Sequence, residues 1–168
     1  MSSFRIRELD SRGLPLVAPL LDAALGAGFW DVGDLRCEVA LVAEADGVPI
    51  GVGTTALDQV DGGTAGHIRL IAVDPSWRRR GVATALVHEL IDRCEALGAT
   101  SHLTYAWVHG PDGKAPMAGV LTRTGFRLSR RIEGFYSGIA SAPCPACGQS
   151  PCLCPADLYL REVTRART

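Results

Sequence analysis

Lysine is nearly absent from this sequence: of its 17 basic residues only Lys114 is one, and arginine supplies the rest. Net charge is nearly absent too, because 18 acidic residues leave a balance of −1 at pH 7. A broad cationic surface for nucleic acid is therefore not expected, and only a local basic patch would serve one. No run approaches the ~18 consecutive apolar residues of a membrane span. The opening residues, Met1 to Arg5, lack the apolar core of a secretory signal, so a cytoplasmic protein is expected. There is no internal repeat and no low-complexity linker, so one domain over residues 1–168 is expected. With 47% hydrophobic and 21% charged residues, the composition excludes a disordered chain, a collagen-like chain and a coiled coil. A homodimer is the default assembly.

What is present reads as alternating strands and helices. Phe4 to Leu9 alternates apolar and charged residues, the period of a strand. Pro15 opens an apolar helix, Leu16 to Leu25, that stops at Gly26. Gly28 to Asp34 reads as a loop or a short helix. Glu38 to Ala45 and Val48 to Thr55 form a hairpin through Asp46-Gly47. Asp61-Gly62-Gly63 marks a second turn, and His67 to Val73 a strand stopped by Asp74-Pro75. From Val82 to Leu97 the apolar positions 82, 86, 87, 90, 91, 94 and 97 keep helical spacing, and Gly98 follows them. Ser101 to Val108 predicts a strand, Ala115 to Thr122 a shorter helix, and Phe126 to Tyr136 a long strand. Asp157 to Val163 predicts the last strand, and Arg165 to Thr168 a frayed tail.

The segment from Val73 to Thr84 carries the most chemistry. A strand end, then Asp74-Pro75-Ser76-Trp77-Arg78-Arg79-Arg80-Gly81-Val82-Ala83-Thr84, leads into the long helix. The first turn of a helix offers N–H groups without internal partners, at the positive end of the dipole. Gly81 lets backbone approach an anion, Ala83 obstructs little, and the three arginines add cationic donors. A diphosphate suits this geometry. A plain solvated helix start is the competing reading. The segment is neither a Walker loop nor a dinucleotide fingerprint, because it lacks the Gly-Lys-Ser/Thr ending and the three-glycine spacing.

With these residues in view, the chain resembles the GNAT superfamily of acyl-CoA-dependent N-acyltransferases. The family's Arg/Gln-x-x-Gly-x-Gly/Ala motif stands here as Arg78-Arg79-Arg80-Gly81-Val82-Ala83, after Ile71-Ala72-Val73-Asp74-Pro75. Thr124-Gly125-Phe126 resembles the family's Leu-Gly-Phe junction. The resemblance implies an α/β (α+β) fold with a mixed, mostly antiparallel sheet flanked by helices. That sheet splays between strand 67–73 and strand 101–108. Acyl-CoA lies in the gap, its pantetheine arm on Ile71, Ala72 and Val73. Its diphosphate lies on the segment Arg78, Arg79, Arg80, Gly81, Val82, Ala83 and Thr84.

The activity implied is transfer of acetyl from acetyl-CoA to an amine acceptor, a small molecule or a protein N-terminus. Family members often carry a basic Glu on the strand before the turn and an acidic Tyr in the last helix. Those positions here are Arg69 and Leu121, and the Asn that often opens the helix falls at Lys114. His67 lies two residues before Arg69, on the same face if side chains alternate strictly. Its ordinary pKa of ~6.5 suits a base. Tyr105 is the stand-in for the acid. Both also have a plain packing reading. His88, His102, His109 and Glu44 are weaker candidates, and Phe29 and Trp30 lie where the family shapes its acceptor pocket. The missing Glu and Tyr motivate an alternative, a non-catalytic acyl-CoA sensor or zinc-bearing interaction module on the same scaffold.

Four of the six cysteines fall within eleven residues: Cys144, Cys147, Cys152 and Cys154, in a proline-rich loop over 143–155. Cys144-Pro145-Ala146-Cys147-Gly148 looks like a zinc knuckle, and Cys152 and Cys154 would complete a tetrahedral sulfur site. A structural zinc loop before the last strand is expected, with disulfides, an iron–sulfur site and free thiols as alternatives. Such a loop would pin the last hairpin, wall the acceptor site or form a protein contact. Cys37 and Cys94 read as buried or incidental.

Overall fold

Two tight turns build the first half of the sheet in the computed structural model, which describes residues 3–138 and 143–163. Asp46 and Gly47 both take positive φ, 50° and 79°, the geometry that joins twisted strands without splaying them. They connect β2 (Val39–Ala45) to β3 (Val48–Val60). Asp61 and Gly62 then turn β3 into β4 (Gly63–Val73); β3 runs five residues past the expected end at Thr55, and β4 starts four residues before the expected start at His67. β1 (Arg5–Glu8) adds outside β2. The expected tail, Arg165 to Thr168, lies outside the described residues, as do Met1 and Ser2.

The remaining elements are α1 (Leu14–Leu25), α2 (Val82–Ala96), β5 (Ser101–Trp107), α3 (Ala118–Arg123), β6 (Arg127–Ile132) and β7 (Ala156–Glu162). Short 3-10 turns occupy Val32–Leu35 and Pro75–Trp77. The sheet runs β1-β2-β3-β4-β5-β7-β6, antiparallel throughout except where β4 meets β5. A parallel pair needs a crossover, and α2 supplies it.

Helix α2 packs one stripe on the sheet: Val82, Leu86, Val87, Leu90, Ile91 and Cys94 are buried. Leu97, the last position of the expected stripe, is 56% exposed because the helix ends at Ala96 and Leu97 is its cap. The approach is close. A Cβ on Gly53 of β3 would stand 2.8 Å from Ile71 Cδ1 and 3.0 Å from Leu90 Cδ1. On the opposite face, Val17, Leu20 and Leu21 of α1 pack with Val42, Val52, Leu70 and Ala72. Phe126 to Tyr136 is not one strand: pairing stops at Ile132, and a turn through Gly134 (φ 62°) follows.

Two departures from regular pairing make the site. Thr54 pairs with Leu70 but Thr55 pairs with Ile68, so Arg69 is the extra residue of a β-bulge. Consequently Ile68, Ile71 and Val73 pack on the α2 side, whereas Leu70 and Ala72 pack on the α1 side. Strict alternation along β4 is therefore broken at Arg69. The second departure is that β4 and β5 pair only from Ala65↔Ser101 to Ile68↔Thr104. Beyond that point β4 stays with β3 as far as Val73 and β5 stays with β7 as far as Trp107, so the sheet opens.

Candidate functional site

A cavity of about 1060 Å³ fills this opening. Thr104 Oγ1 donates to the Ile68 carbonyl at 3.0 Å, tying the strands together where the gap begins. Past it, the β5-facing edge of β4 from Arg69 to Val73 has no strand partner among the described residues. Ile71, Ala72 and Val73 line the cavity.

At one end the cavity meets the start of α2 through Arg78, Arg79, Gly81, Val82, Ala83 and Thr84. Gly81 is the helix N-cap with φ 85°, a left-handed conformation natural to glycine, and the space a Cβ would take is empty. Arg79 shares the positive φ, at 64°. Successive backbone amides in an αL-containing turn of this kind can form an anion-binding concavity. Arg80 is placed differently, its guanidinium 5.0 Å from the centroid of Trp77. Met117, Gly119, Val120, Leu121 and Arg123 of the α3 region complete this end. Leu121 is buried and carries no acid, and Lys114 is not on the wall.

The other end is aromatic. His67, Tyr105, Trp107, His109, Phe29, Phe135 and Tyr136 all face it. Tyr105 stacks on Phe135 at 4.6 Å and meets His67 edge-on at 5.5 Å. Trp107 packs between Phe29 at 5.9 Å and His109 at 3.9 Å. Burial pushes the Tyr136 phenol far up, so it stays a donor, and it reaches the Tyr105 carbonyl at 3.4 Å. Trp30 turns away, bonding Asp22 at 2.8 Å.

His67 is half-buried, and its Nδ1 lies 2.8 Å from Asp58 Oδ2. Burial lowers its pKa below the ordinary value, and the Asp58 hydrogen bond only partly opposes this. The ring is therefore neutral at pH 7. Asp58 fixes the proton on Nδ1 and leaves Nε2 as the acceptor. Asp58 lies beyond Thr55, where the expected strand ends, in the part of β3 that the alternation of that strand does not reach. The signal was the turn: from Asp61-Gly62, hairpin register pairs Asp58 with Ala65 and Ala56 with His67, setting Asp58 diagonal to His67.

The other candidates fall elsewhere. Glu44 is buried on β2 between Arg5 and Arg7, and the Arg7 hydrogen bond holds its carboxyl below the usual range. His102 is buried behind the sheet, its Nε2 3.3 Å from Glu95. His88 is exposed on α2. Cys94 is buried against α2's neighbours, and burial raises its thiol to about 11.

The four clustered cysteines converge behind the aromatic wall. Their sulfurs all lie within 4.8 Å of one another. Cys144 to Cys154 and Cys147 to Cys152 are each 3.9 Å apart, far beyond a disulfide bond. Four sulfurs at ~2.3 Å from a tetrahedral ion would lie about 3.8 Å apart, so the set fits a metal. The surroundings fit thiolates as well. Amides of Ala146 and Cys147 donate to Cys144 Sγ, and that of Cys154 to Cys152 Sγ, each at 3.4 Å. Backbone donors lower Cys147 to about 6, while burial raises Cys152 to about 12. Burial also raises Cys154, and the Trp107 indole opposes this; among the described residues the buried Trp107 Nε1–H has no acceptor. A cation among the sulfurs would favour the thiolates, and a thiolate at Cys154 is the acceptor that the indole donor would suit. Phe29, Trp107 and Tyr136 pack directly on the cluster.

The sequence matches the Acetyltransferase (GNAT) family model over residues 5–126. Among solved structures, an alanine N-acetyltransferase for a ribosomal protein, from Escherichia coli, superposes with a TM-score of 0.74 at 18% identity, covering 98% of this chain and 97% of that one. An IAA acetyltransferase from Bacillus cereus gives 0.75 at 16% identity, over 96% and 100%. A GNAT family acetyltransferase from Elizabethkingia anophelis with acetyl-CoA bound gives 0.74 at 16% identity, over 97% and 100%. At these identities the likeness establishes the fold. No curated protein matches the chain significantly by sequence.

Proposed function

This chain belongs to the acetyltransferase (GNAT) family, and on that premise we propose that it transfers the acetyl group of acetyl-CoA to a primary amine by direct attack. The observation that supports this most is the gap between β4 and β5, one cavity with an anion-binding helix start at one end and His67 at the other. Backbone amides of Arg79 to Thr84 would hold the diphosphate, with Arg78 beside them. The free edge at Ile71, Ala72 and Val73 would pair with the pantetheine amides. The linear arm then delivers the thioester to the point where the strands part.

There the amine nitrogen bonds to the acetyl carbon and the carbon–sulfur bond breaks. His67 Nε2 takes the proton that the amine must lose, and Asp58 holds the resulting imidazolium. The CoA thiolate regains a proton from Tyr105 or from solvent. Holding the two reactants together supplies much of the acceleration. Catalysis therefore does not need the family's Glu and Tyr at Arg69 and Leu121. The cysteine cluster would hold zinc through Cys144, Cys147, Cys152 and Cys154. Four sulfur ligands leave no open position, so the ion's contribution is to the wall of the acceptor end. We read the protein as cytoplasmic, where thiols stay reduced.

Native mass spectrometry with acetyl-CoA, followed by thiol release with an amine panel, tests the reading. One zinc and one acetyl-CoA per chain, with amine-dependent release, is the expected result. Binding without turnover would favour the sensor alternative, which the buried, acid-free Leu121 position supports. No binding would overturn both.

A further inference from the structure

The acceptor end of the cavity is both aromatic and positively charged. Arg78 acts electrostatically on His109, beside Trp107, and the second cation is Arg69. It is the bulged residue of β4, exposed, on the cavity wall, and unpaired with any carboxylate among the described residues. A bulge beside a site re-aims a side chain. Arg69 acts electrostatically on both His67 and Cys37, which places its charge on the side of the Val32–Leu35 turn. That is the side of α1, Phe29 and the catalytic histidine.

The nearby carboxylates are already occupied. Asp58 receives His67 Nδ1. Asp34, the one acid on the cavity wall among the described residues, accepts the Asp31 amide at 2.9 Å and caps its own turn. A polyamine would therefore meet the Arg69 cation, with Asp34 alone among the described wall residues to offset it. A small aliphatic amine would leave the rings of Phe29, Trp107 and Tyr136 uncovered. The two loops at this end also touch: a Cβ on Gly26 would stand 2.9 Å from Pro145 Cγ of the cysteine loop. A bridge there suits a compact acceptor better than a polypeptide.

Resting on the acetyltransferase reading above, we propose that the acceptor is a free aromatic α-amino acid, its carboxylate paired with Arg69 and its side chain packed on the Phe29–Trp107–Tyr136 wall. A guanidinium binds a carboxylate through two parallel hydrogen bonds, which fixes orientation as well as adding affinity. Aromatic pairs add attraction beyond their buried area. The α-ammonium sheds a proton to solvent, the free amine bonds to the acetyl carbon, and the carbon–sulfur bond breaks. The amine's second proton leaves through His67, the thiolate gains one, and the products are an N-acetyl amino acid and CoA.

The test is thiol release from acetyl-CoA with L-phenylalanine or L-tryptophan, against 2-phenylethylamine, phenylalaninamide, L-alanine, spermidine and a phenylalanine-initiated peptide. Acetyl-CoA binding is measured separately by calorimetry. The free aromatic amino acids should exceed every other acceptor by about tenfold or more in kcat/KM, as expected for a lost charged hydrogen bond. In Arg69→Met the preference for phenylalanine over 2-phenylethylamine should fall toward one, with acetyl-CoA affinity retained. Equal turnover of 2-phenylethylamine, spermidine or the peptide overturns the proposal, as does an unchanged preference in Arg69→Met. So does acetyl-CoA binding with no transfer to any aromatic amino acid, which leaves the acetyl-CoA site standing. Failure to bind acetyl-CoA instead overturns the acetyltransferase reading on which it rests.

Discussion

Asp58 Oδ2 lies 2.8 Å from His67 Nδ1, across the hairpin that joins β3 to β4. The contact decides which nitrogen of His67 is free. Asp58→Asn keeps the shape but loses the charge, so the tautomer is no longer fixed. It also removes the one interaction that raises the His67 pKa through a hydrogen bond, leaving burial less opposed. The amine-dependent rate should fall about ten- to a hundredfold. The acid limb of kcat/KM, already below the ordinary histidine value, should move to lower pH. A pH–rate profile of the variant checks this, and an unmoved limb would remove His67 from the reaction.

Gly81 tests the other end of the cavity. Its φ of 85° and the empty space beside it mean that a side chain would add strain and project into open space at the start of α2. Gly81→Ala should cost about 1–2 kcal/mol from the left-handed backbone alone. Gly81→Glu adds a carboxylate where a diphosphate is to bind, and acetyl-CoA affinity should drop about a hundredfold or more beyond the alanine variant. Calorimetric titration of the two variants separates strain from charge. Equal affinities would move the anion site elsewhere.

The cysteine loop should govern acceptor binding more than cofactor binding, because its cysteines pack on Phe29, Trp107 and Tyr136. Cys152→Ser, or removal of metal by a chelator, should take the metal content from one per chain toward none. The acceptor KM should rise about tenfold while acetyl-CoA affinity changes less than about twofold. Elemental analysis with steady-state kinetics reads both. A matching loss of acetyl-CoA binding would mean that the loop supports the whole sheet.

Much of this arrangement is legible in the sequence because the relevant signals are local. The Asp46-Gly47 turn, the stripe from Val82 to Cys94 and the four closely spaced thiols each announce themselves within a few residues. The bulge at Arg69 does not, because it exists only as a mismatch of register between Thr54/Thr55 and Ile68/Leu70. Periodicity on one strand cannot contain it. For the same reason Phe135 and Tyr136 read as strand residues, although the chain leaves the sheet at Ile132 and turns both rings onto the cavity. Asp58 lay one step away, in a strand that continues five residues past Thr55.

Stability should depend on pH through histidines that the fold keeps neutral. Burial lowers the pKa of His102, buried behind the sheet, and of His67, in both cases against a carboxylate that raises it. In the unfolded chain each titrates near 6.5. Above that pH neither state binds the proton and the histidines contribute no slope. As pH falls below 6.5 toward the lower folded values, the unfolded chain binds more protons, so stability falls, by at most about 1.4 kcal/mol per pH unit for each group. The carboxylate of Glu44, held down by Arg7, loses its contribution only in a more acid range. Urea midpoints should therefore be level between pH 8 and 7 and decline between pH 6.5 and 5.5. In His102→Gln the decline should be shallower, with metal content checked at each pH so that thiolate protonation is not mistaken for it. An equal slope in the variant would mean that His102 accepts its proton within the fold, with Glu95 outweighing burial.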